Sequence, residues 1–328
     1  MSSRPDTAVP ATCSFCAKPR HDVQTLISGA EGYICDGCIR ECGDILNGDA
    51  PSSNDVGSVA SPRALFDLLS DRIIGQQAAK RQLAVSVFHH QYGKRGAGSS
   101  RLLRKQNLLF LGPTGSGKTY LMQSLARSLD IPMVTVSATA YTQTGYVGDE
   151  VDSMLRYLLE HCDNDIERAE QGIIFIDEID KIATRGQGPS ELQFRDVSGA
   201  GVQQDLLTML EGTTVRLPAR GGPRHLAQEF TSINTQNIMF VASGAFVDIE
   251  DIVKARVGEC QDDASHPKAL ENALRQQVTI EDLIEFGLLP EFAGRFAAYV
   301  PFDHLLIDDL VTILRNPTGS PVCEYQRY

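Results

Sequence analysis

The chain has 328 residues, of which 42% are hydrophobic, and a formal net charge of −12 at pH 7. This length supports a large core and about two domains, and the acidic balance argues against a general electrostatic grip on nucleic acid or anionic lipid. No apolar stretch reaches the roughly 18 residues of a membrane span, and the N-terminus lacks the apolar core of a secretory signal. We therefore expect a globular cytoplasmic protein with neither a nucleic-acid nor a membrane partner.

Two Cys-x-x-Cys pairs lie near the N-terminus, Cys13 with Cys16 and Cys35 with Cys38. Their spacing is typical of a zinc ribbon or treble clef, in which four thiolates close a tetrahedral structural site and leave no position for substrate. A redox role would require a thioredoxin-like βαβ context, which the surrounding sequence does not provide. We predict a zinc-binding module over residues 1–46, stabilised largely by Zn²⁺ because so small a segment cannot fold on apolar burial alone.

Residues 47–62 are rich in Gly, Ser, Asp and Asn and show no periodicity, which predicts a flexible linker. From residue 63 to residue 315, short apolar runs alternate with helical patterns, and this alternation predicts an α/β domain with a largely parallel sheet. A short tail, 316–328, follows. The predicted strands are 107–112, 133–137, 172–177, 237–243 and 297–301.

The segment GPTGSGKT directly follows the first predicted strand of this domain and opens a helical pattern. It is a Walker A loop in the strand–loop–helix context that the motif requires. Its backbone N–H groups can cradle phosphate oxygens, Lys118 can reach the β- and γ-phosphates of ATP, and Thr119 can ligate Mg²⁺. The candidate nucleotide-binding residues of the loop are Gly112, Pro113, Thr114, Gly115, Ser116, Gly117, Lys118 and Thr119.

The segment IIFIDEIDK supplies the second half of a nucleotide site. Its apolar strand delivers Asp177 to the carboxyl end, where the carboxylate can hold Mg²⁺. Glu178 is then placed to polarise the attacking water, as general base or as a water-positioning group. We predict Asp180 and Lys181 to be surface charges.

Several motifs together resemble a known family. GPTGSGKT, GIIFIDEIDKI, RDVSGAGVQQDLLTMLEGT and LLPEFAGRF match AAA+ ATPases of the ClpX branch in order and spacing, and the four-cysteine module resembles the zinc-binding domain of that family. The resemblance extends from about residue 13 to residue 314. It implies an AAA+ large domain that hydrolyses ATP and works in a ring, which in this family is a hexamer.

The resemblance implies roles for further residues. Ile73 and Ile74, in the segment RIIGQ, would pack around adenine, although the sequence equally permits a core contact there. Ser243 would be a polar sensor of the γ-phosphate. Arg295 would be an arginine finger that reaches the γ-phosphate of the neighbouring subunit; without the family it would count as an ordinary surface arginine.

The resemblance also assigns a substrate channel. GYVG matches the first pore loop, so Tyr146 and Val147 would grip polypeptide of almost any sequence through apolar and backbone contacts. FRDVSG matches the second pore loop, which contributes Arg195, Asp196 and Val197. GGPRHLAQEF matches the basic loop at the channel entrance, although PRH replaces the usual Arg-Lys-His and removes a positive charge.

These features predict an ATP-driven protein unfoldase and translocase. Its substrates would be unfolded or tagged polypeptides, its assembly a homo-hexamer or a mixed ring with a homologue, and its zinc module a receptor for adaptor proteins or substrates. The alternative is a nucleotide-binding regulatory or adaptor-binding protein of the same type that does not unfold substrates. A nucleic-acid motor is disfavoured by the net charge.

Two departures from the family pattern bear on this choice. Val257, Gly258 and Glu259 stand where the family carries an Ile-Gly-Phe-type tripeptide for docking on the ClpP peptidase, and a carboxylate is costly in an apolar pocket. In addition, nothing in the sequence after Arg295 matches the family's small helical domain with its second sensor arginine. We therefore expect little coupling to ClpP, and weak nucleotide binding and poor assembly by this chain alone.

Overall fold

The structure, a computed structural model, describes residues 12–15, 18–20, 23–28, 32–39, 61–92, 106–141, 150–184, 197–218, 230–258 and 267–315, together with Val322 and Tyr325. The chain divides into two compact units, Met1–Ser58 and Val59–Tyr328. Among the residues described, no helix combines the length and the apolar character needed to cross a membrane.

The first unit contains a small antiparallel sheet of two strands, β1 (Leu26–Ser28) and β2 (Tyr33–Cys35). The strand partner of Leu26 is Cys35, so the hairpin brings a cysteine next to the apolar end of β1. Gly32, just before β2, approaches Ser14 so closely that a Cβ there would lie 2.5 Å from the Ser14 Oγ atom. That hydroxyl accepts a hydrogen bond from the Tyr33 amide at 3.1 Å, which ties the residue after Cys13 to the hairpin.

The second unit is an α/β domain. Its helices are α1 (Pro62–Arg72), α2 (Gln77–Tyr92), α3 (Lys118–Ser128), α4 (Ser153–His161), α5 (Ile166–Ala169), α6 (Val197–Glu211), α7 (Ile249–Val257), α8 (Pro267–Arg275), α9 (Ile280–Phe286), α10 (Pro290–Ala293) and α11 (Ile307–Arg315). Its strands are β3 (Leu108–Leu111), β4 (Met133–Ser137), β5 (Ile173–Asp177), β6 (Thr214–Pro218), β7 (Phe230–Asn234), β8 (Met239–Gly244) and β9 (Ala298–Pro301). Helix α1 begins with Ser61 as its N-cap.

Five of these strands form one parallel sheet in the order β4-β5-β8-β3-β9. The prediction of a parallel α/β domain is therefore confirmed, and each predicted strand lies within two residues of the observed one. Strand β8 lies between β3 and β5, and its register places Ser243 beside Phe110 and Ala242 beside Ile176. All five strands thus deliver their carboxyl ends to the same edge of the sheet.

Both faces of the parallel sheet are covered, because alternate residues of each strand enter different clusters of the core. One cluster joins strand residues to α1, α2 and α3, and includes Leu65, Leu83, Leu108, Phe110, Leu121, Phe175, Val241 and Phe302. The other joins the remaining strand residues to α4, α6, α9 and α10, and includes Leu109, Leu155, Ile174, Leu206, Phe240, Leu283 and Phe292. Burial on both faces explains why the strands read as continuous apolar runs.

Strands β6 and β7 form a separate antiparallel pair, with Thr214 opposite Asn234 and Pro218 opposite Phe230. The predicted basic loop lies in the connection between them and ends at Phe230, the first residue of β7. The connection itself, residues 219–229, is outside the described residues. Most of the predicted linker, residues 47–60, is also outside them. At the other end of the domain, α11 contributes no buried residue.

Candidate functional site

The loop from Gly112 to Gly117 connects β3 to α3 and depends on its glycines. Gly115 and Gly117 have φ angles of +80° and +92°, a region that L side chains rarely adopt, and no atom lies within 4 Å of where a Cβ would be. Gly112 is needed for a different reason, because a Cβ there would lie 2.6 Å from the Phe302 Cβ and 2.7 Å from the Phe302 carbonyl oxygen. The open concave side of the loop and the amino end of α3 form a cradle suited to phosphate.

Gln76 fastens this loop to the neighbouring chain. Its buried amide donates from Nε2 to the Ser116 carbonyl at 3.1 Å and to the Asp303 carbonyl at 2.9 Å, and its Oε1 accepts from the Asp303 amide at 2.9 Å. Gln76 itself has a φ of 54°. The sequence analysis did not select Gln76; its position directly after the Ile-Ile-Gly segment was the available signal.

Lys118 is folded back onto the loop. Its ammonium donates to the Gly112 carbonyl at 2.7 Å and to the Pro113 carbonyl at 2.9 Å. Burial lowers the pKa of Lys118 below its ordinary value, and the nearby carboxylates of Asp177 and Asp180 oppose that shift. The ammonium therefore lies where incoming phosphate oxygens can replace neutral carbonyl partners with charged ones, a stronger kind of hydrogen bond.

Thr119, in the first turn of α3, and Asp177, at the end of β5, meet at the sheet edge although β3 and β5 are not neighbours. The Thr119 hydroxyl donates to the Asp177 Oδ2 atom at 3.3 Å. The Asp177 Oδ1 atom accepts from the Glu178 amide at 2.9 Å. A hydroxyl and a carboxylate are hard oxygen donors of the kind that Mg²⁺ takes alongside water and phosphate, so this pair fits the predicted metal.

Glu178 has an unusual backbone conformation, and its side chain accepts hydrogen bonds from two hydroxyl groups. Its φ and ψ are 59° and 32°, the left-handed region, which costs a non-glycine residue roughly 1 kcal/mol or more. Its Oε2 atom accepts from the Ser137 hydroxyl at 2.7 Å and from the Thr139 hydroxyl at 3.2 Å. Ser137 is the last residue of β4 and lies beside Asp177 in register. Sequence reasoning missed both hydroxyls, because only the pairing of β4 with β5 brings them to Glu178.

The prediction that Asp180 is a surface charge is wrong. Its side chain is 5% exposed, and its Oδ1 atom accepts from the Ala245 amide at 3.3 Å. The reason is the 3₁₀ turn Ile179–Ile182, which directs Asp180 against the end of β8. Lys181, with its side chain 58% exposed, does lie at the surface, 3.7 Å from the Asp180 carboxylate. Asp180 thus joins the strand of Asp177 to the strand of Ser243.

Two buried hydroxyls at this edge have no hydrogen-bond partner among the described residues. They belong to Ser116 in the loop and to Ser243 in β8, and Ser243 is fully buried. Unsatisfied buried polar groups are uncommon and point to a missing partner. Both hydroxyls fit a bound phosphate or its water shell, and the sensor role of Ser243 remains a prediction.

The two isoleucines predicted to contact adenine differ in environment. Ile73 is 7% exposed and packs in the core with Leu69 and Leu83, so it makes the core contact that the sequence also permitted. Its carbonyl accepts from the buried Lys80 ammonium at 2.9 Å. Ile74 is only half-buried and retains apolar surface for a ligand.

Arg295 lies at the opposite end of the sheet from the nucleotide loop. Its carbonyl accepts from the Asn107 side chain at 3.3 Å, and Asn107 directly precedes β3, whereas the loop follows β3. The four residues of β3 separate these ends by about 13 Å. Arg295 forms an ion pair with Glu211, and their side chains are 47% and 45% exposed. Arg295 therefore lies away from the nucleotide loop of its own chain, and its role as an arginine finger remains a prediction.

Three of the four predicted zinc ligands lie together in the first unit. The sulfurs of Cys13, Cys35 and Cys38 are within 4.8 Å of one another, and all three residues are buried. A tetrahedral site with Zn–S bonds of about 2.3 Å places its sulfurs about 3.8 Å apart, and the Cys13 and Cys38 sulfurs are 3.8 Å apart. The Cys35 amide donates to the Cys13 sulfur and the Cys38 amide to the Cys35 sulfur, each at 3.4 Å. Cys16 lies outside the described residues.

The predicted pore residues also lie outside the described part of the chain. These are Tyr146, Val147, Arg195 and Asp196; Val197 opens α6, but its side chain is not described. The segments that contain them follow β4 and β5, which are neighbours in the sheet. Both segments therefore belong to connections that leave the sheet at the edge where the nucleotide loop lies.

Comparison with protein families agrees with this geometry. The model of the AAA domain (Cdc48 subfamily) matches residues 103–299, more than half of the chain. The chain belongs to this AAA family. The model of the ClpX C4-type zinc finger matches residues 11–48, so the AAA protein is ClpX-like, as the resemblance of its motifs predicted. The AAA match supports an ATPase family with nucleotide and Mg²⁺, and the zinc-finger match together with the cysteine cluster supports Zn²⁺.

The first prediction concerns the zinc centre. Cys35→Ser removes a metal ligand and the sulfur that accepts from the Cys38 amide. The stability that metal binding contributes should therefore be lost, and the full-length variant should purify with little or no zinc. Metal analysis of the purified protein measures this. Cys162→Ser, a cysteine of the AAA domain, should leave the zinc content unchanged. Retention of one zinc per chain with native affinity in Cys35→Ser would contradict the assignment.

The second prediction separates binding from hydrolysis. Glu178→Gln should keep nucleotide affinity but lower the rate of ATP hydrolysis by about 10²-fold or more, because water activation is lost while the loop remains. Lys118→Ala should lose nucleotide affinity as well. Fluorescent-nucleotide binding and steady-state phosphate release measure the two effects, with the exposed Glu167→Gln as the control. A Glu178→Gln protein that turned over ATP like wild type would show that the acid is misassigned.

Proposed function

We propose that this ClpX-like AAA protein is an ATP-driven unfoldase and translocase that threads polypeptides through the pore of a ring. The observation that carries the proposal is the convergence of Lys118, Thr119, Asp177 and Glu178 at one edge of the sheet. Strands β4 and β5, which precede the two predicted pore segments in the chain, end at this edge.

The chain's own residues suggest how hydrolysis would proceed. The loop amides and Lys118 bind and orient the phosphates, and Thr119 with Asp177 would hold Mg²⁺, which neutralises charge that develops on the phosphate oxygens. Glu178 would orient water once the hydroxyls of Ser137 and Thr139 release its Oε2 atom. Arg295 would then stabilise the transition state at the neighbouring subunit's site.

The hydrogen bonds from Ser137 and Thr139 to Glu178 support a coupling between ATP hydrolysis and polypeptide binding. Ser137 precedes the turn Ala138–Ala140 and Thr139 lies within it, and this turn is followed directly by Tyr141 and the segment of Tyr146. A pull on that segment would act on the two hydroxyls that bind the Glu178 carboxylate. Engagement of substrate would in this way favour a hydrolysis-competent Glu178.

The alternative function is a regulatory or adaptor-binding protein that binds nucleotide without unfolding substrates. The observation that favours it is the end of α7, where Val257 is 40% exposed and is followed by Gly258 and Glu259 in place of an apolar docking tripeptide. Glu259 itself is outside the described residues. Under either function we propose a homo-hexameric or mixed ring, a cytoplasmic location and recruitment of partners through the zinc module.

A substitution in the first pore segment tests the proposal. Where the chain is assembled into rings at high protein concentration with ATP, the wild-type protein should unfold a tagged fluorescent protein. Tyr146→Ala should unfold it at least about tenfold more slowly because an aromatic anchor is removed. ATP hydrolysis without substrate should stay within about twofold of wild type, since Tyr146 is assigned to the channel and not to the nucleotide. Loss of fluorescence and phosphate release are the measurements.

The matched control is Tyr325→Ala, because the Tyr325 side chain is strongly exposed and lies outside the proposed channel segments. If wild type hydrolyses ATP but leaves the fluorescent protein folded, the alternative function is correct. If Tyr146→Ala loses nucleotide binding, Tyr146 is a core residue and the channel assignment is wrong.

A further inference from the structure

Helix α6 spans from the second predicted pore segment to the arginine finger and is anchored along its length. Near its start, Gly199 approaches the Ile182 carbonyl so closely that a Cβ would lie 2.7 Å from that oxygen. One turn later, fully buried Gln203 donates to the same Ile182 carbonyl and accepts from the Leu289 amide, each at 2.8 Å. The helix is thus attached both to the turn that follows Asp177 and to the start of α10, which leads to Arg295.

The far end of α6 is attached to Arg295 itself. Glu211, the last residue of the helix, forms an ion pair with the Arg295 guanidinium. Asn107 fixes both main chains, since its side-chain amide donates to the Leu210 carbonyl at 3.1 Å and to the Arg295 carbonyl at 3.3 Å. The backbones are therefore rigidly held while the two charged side chains extend, about half exposed, beyond them.

We propose that Glu211 is a positioning residue that holds the Arg295 guanidinium within its own subunit and competes for it with the γ-phosphate of the neighbouring subunit. The proposal rests on the proposed role of Arg295 as a finger acting in trans. Because Asn107 holds the two main chains together, the competition involves the side chains alone: the Arg295 guanidinium would exchange the Glu211 carboxylate for a phosphate oxygen without movement of α6.

The exposure of the pair sets the size of the competition. Ion pairs between half-exposed side chains are weak and are screened by salt. Glu211 therefore holds the Arg295 guanidinium only weakly. Its removal should change the fraction of Arg295 side chains bound at the neighbouring subunit's site by about fivefold at most. A buried pair in this position would instead have made the finger unavailable.

The test compares Glu211→Gln with wild type in full-length protein. ATP turnover per chain is measured against protein concentration, because catalysis in trans appears as a rise in turnover as chains meet. Glu211→Gln should raise basal turnover by about two- to fivefold at low salt, and the difference from wild type should shrink near 1 M salt, where the wild-type pair is screened.

Three variants make the outcome decisive. Glu285→Gln removes an exposed carboxylate of α9 that has no ion pair in the described part of the chain and should behave as wild type. Glu211→Asp, which keeps the charge, should retain most of the wild-type restraint. The double variant Glu211→Gln/Arg295→Ala should be no faster than Arg295→Ala, because the gain acts only through the finger.

The experiment distinguishes failure of the Glu211 proposal from failure of the arginine-finger assignment. If Arg295→Ala lowers turnover but Glu211→Gln equals wild type or is slower at low salt, the competition is wrong while the finger stands. If Arg295→Ala leaves turnover unchanged at every protein concentration, the finger assignment is wrong, and the role of Glu211 fails with it.

Discussion

The position of β8 between β3 and β5 is the constraint on which the nucleotide site depends. It separates the strand before the phosphate loop from the strand of Asp177 by two strand spacings, about 9.5 Å. The hydrogen bond from Thr119 to Asp177 closes that gap, because α3 begins above the sheet edge and carries Thr119 over the end of β8. The same arrangement places Ser243 between the two motifs.

Rigid and movable parts are clearly divided around this edge. The loop is fixed by the close approach of Gly112 to Phe302 and by the Gln76 amide, so the phosphates meet a preformed cradle. Glu178 is different, because within the described ranges its carboxylate is held by two exposed hydroxyl contacts. Arg295 is likewise held by one half-exposed ion pair. The groups that must act at a particular moment are those with weak, exchangeable partners.

Much of the fold followed from the sequence because its signals are local. A parallel sheet buried on both faces gives continuous apolar runs, and a phosphate loop needs its glycines and lysine at fixed spacing, so the strands and the loop could be predicted. Gln76, Ser137 and Thr139 were missed since their partners are distant in the chain. Asp180 was placed at the surface because the polar spacing of EIDK does not show that the turn packs against β8. The roles of Ser243 and Arg295 came only from the family resemblance.

Nucleotide binding with and without Mg²⁺ tests the central claim, that Thr119 and Asp177 form the metal-binding half of an ATP site. Affinity for a fluorescent ATP analogue should be measured by titration for wild type and for Asp177→Asn, each in Mg²⁺ and in a chelator. The account predicts that Mg²⁺ tightens binding to wild type, and that Asp177→Asn loses this tightening while it keeps the metal-free affinity. An unchanged Mg²⁺ dependence in Asp177→Asn would contradict it.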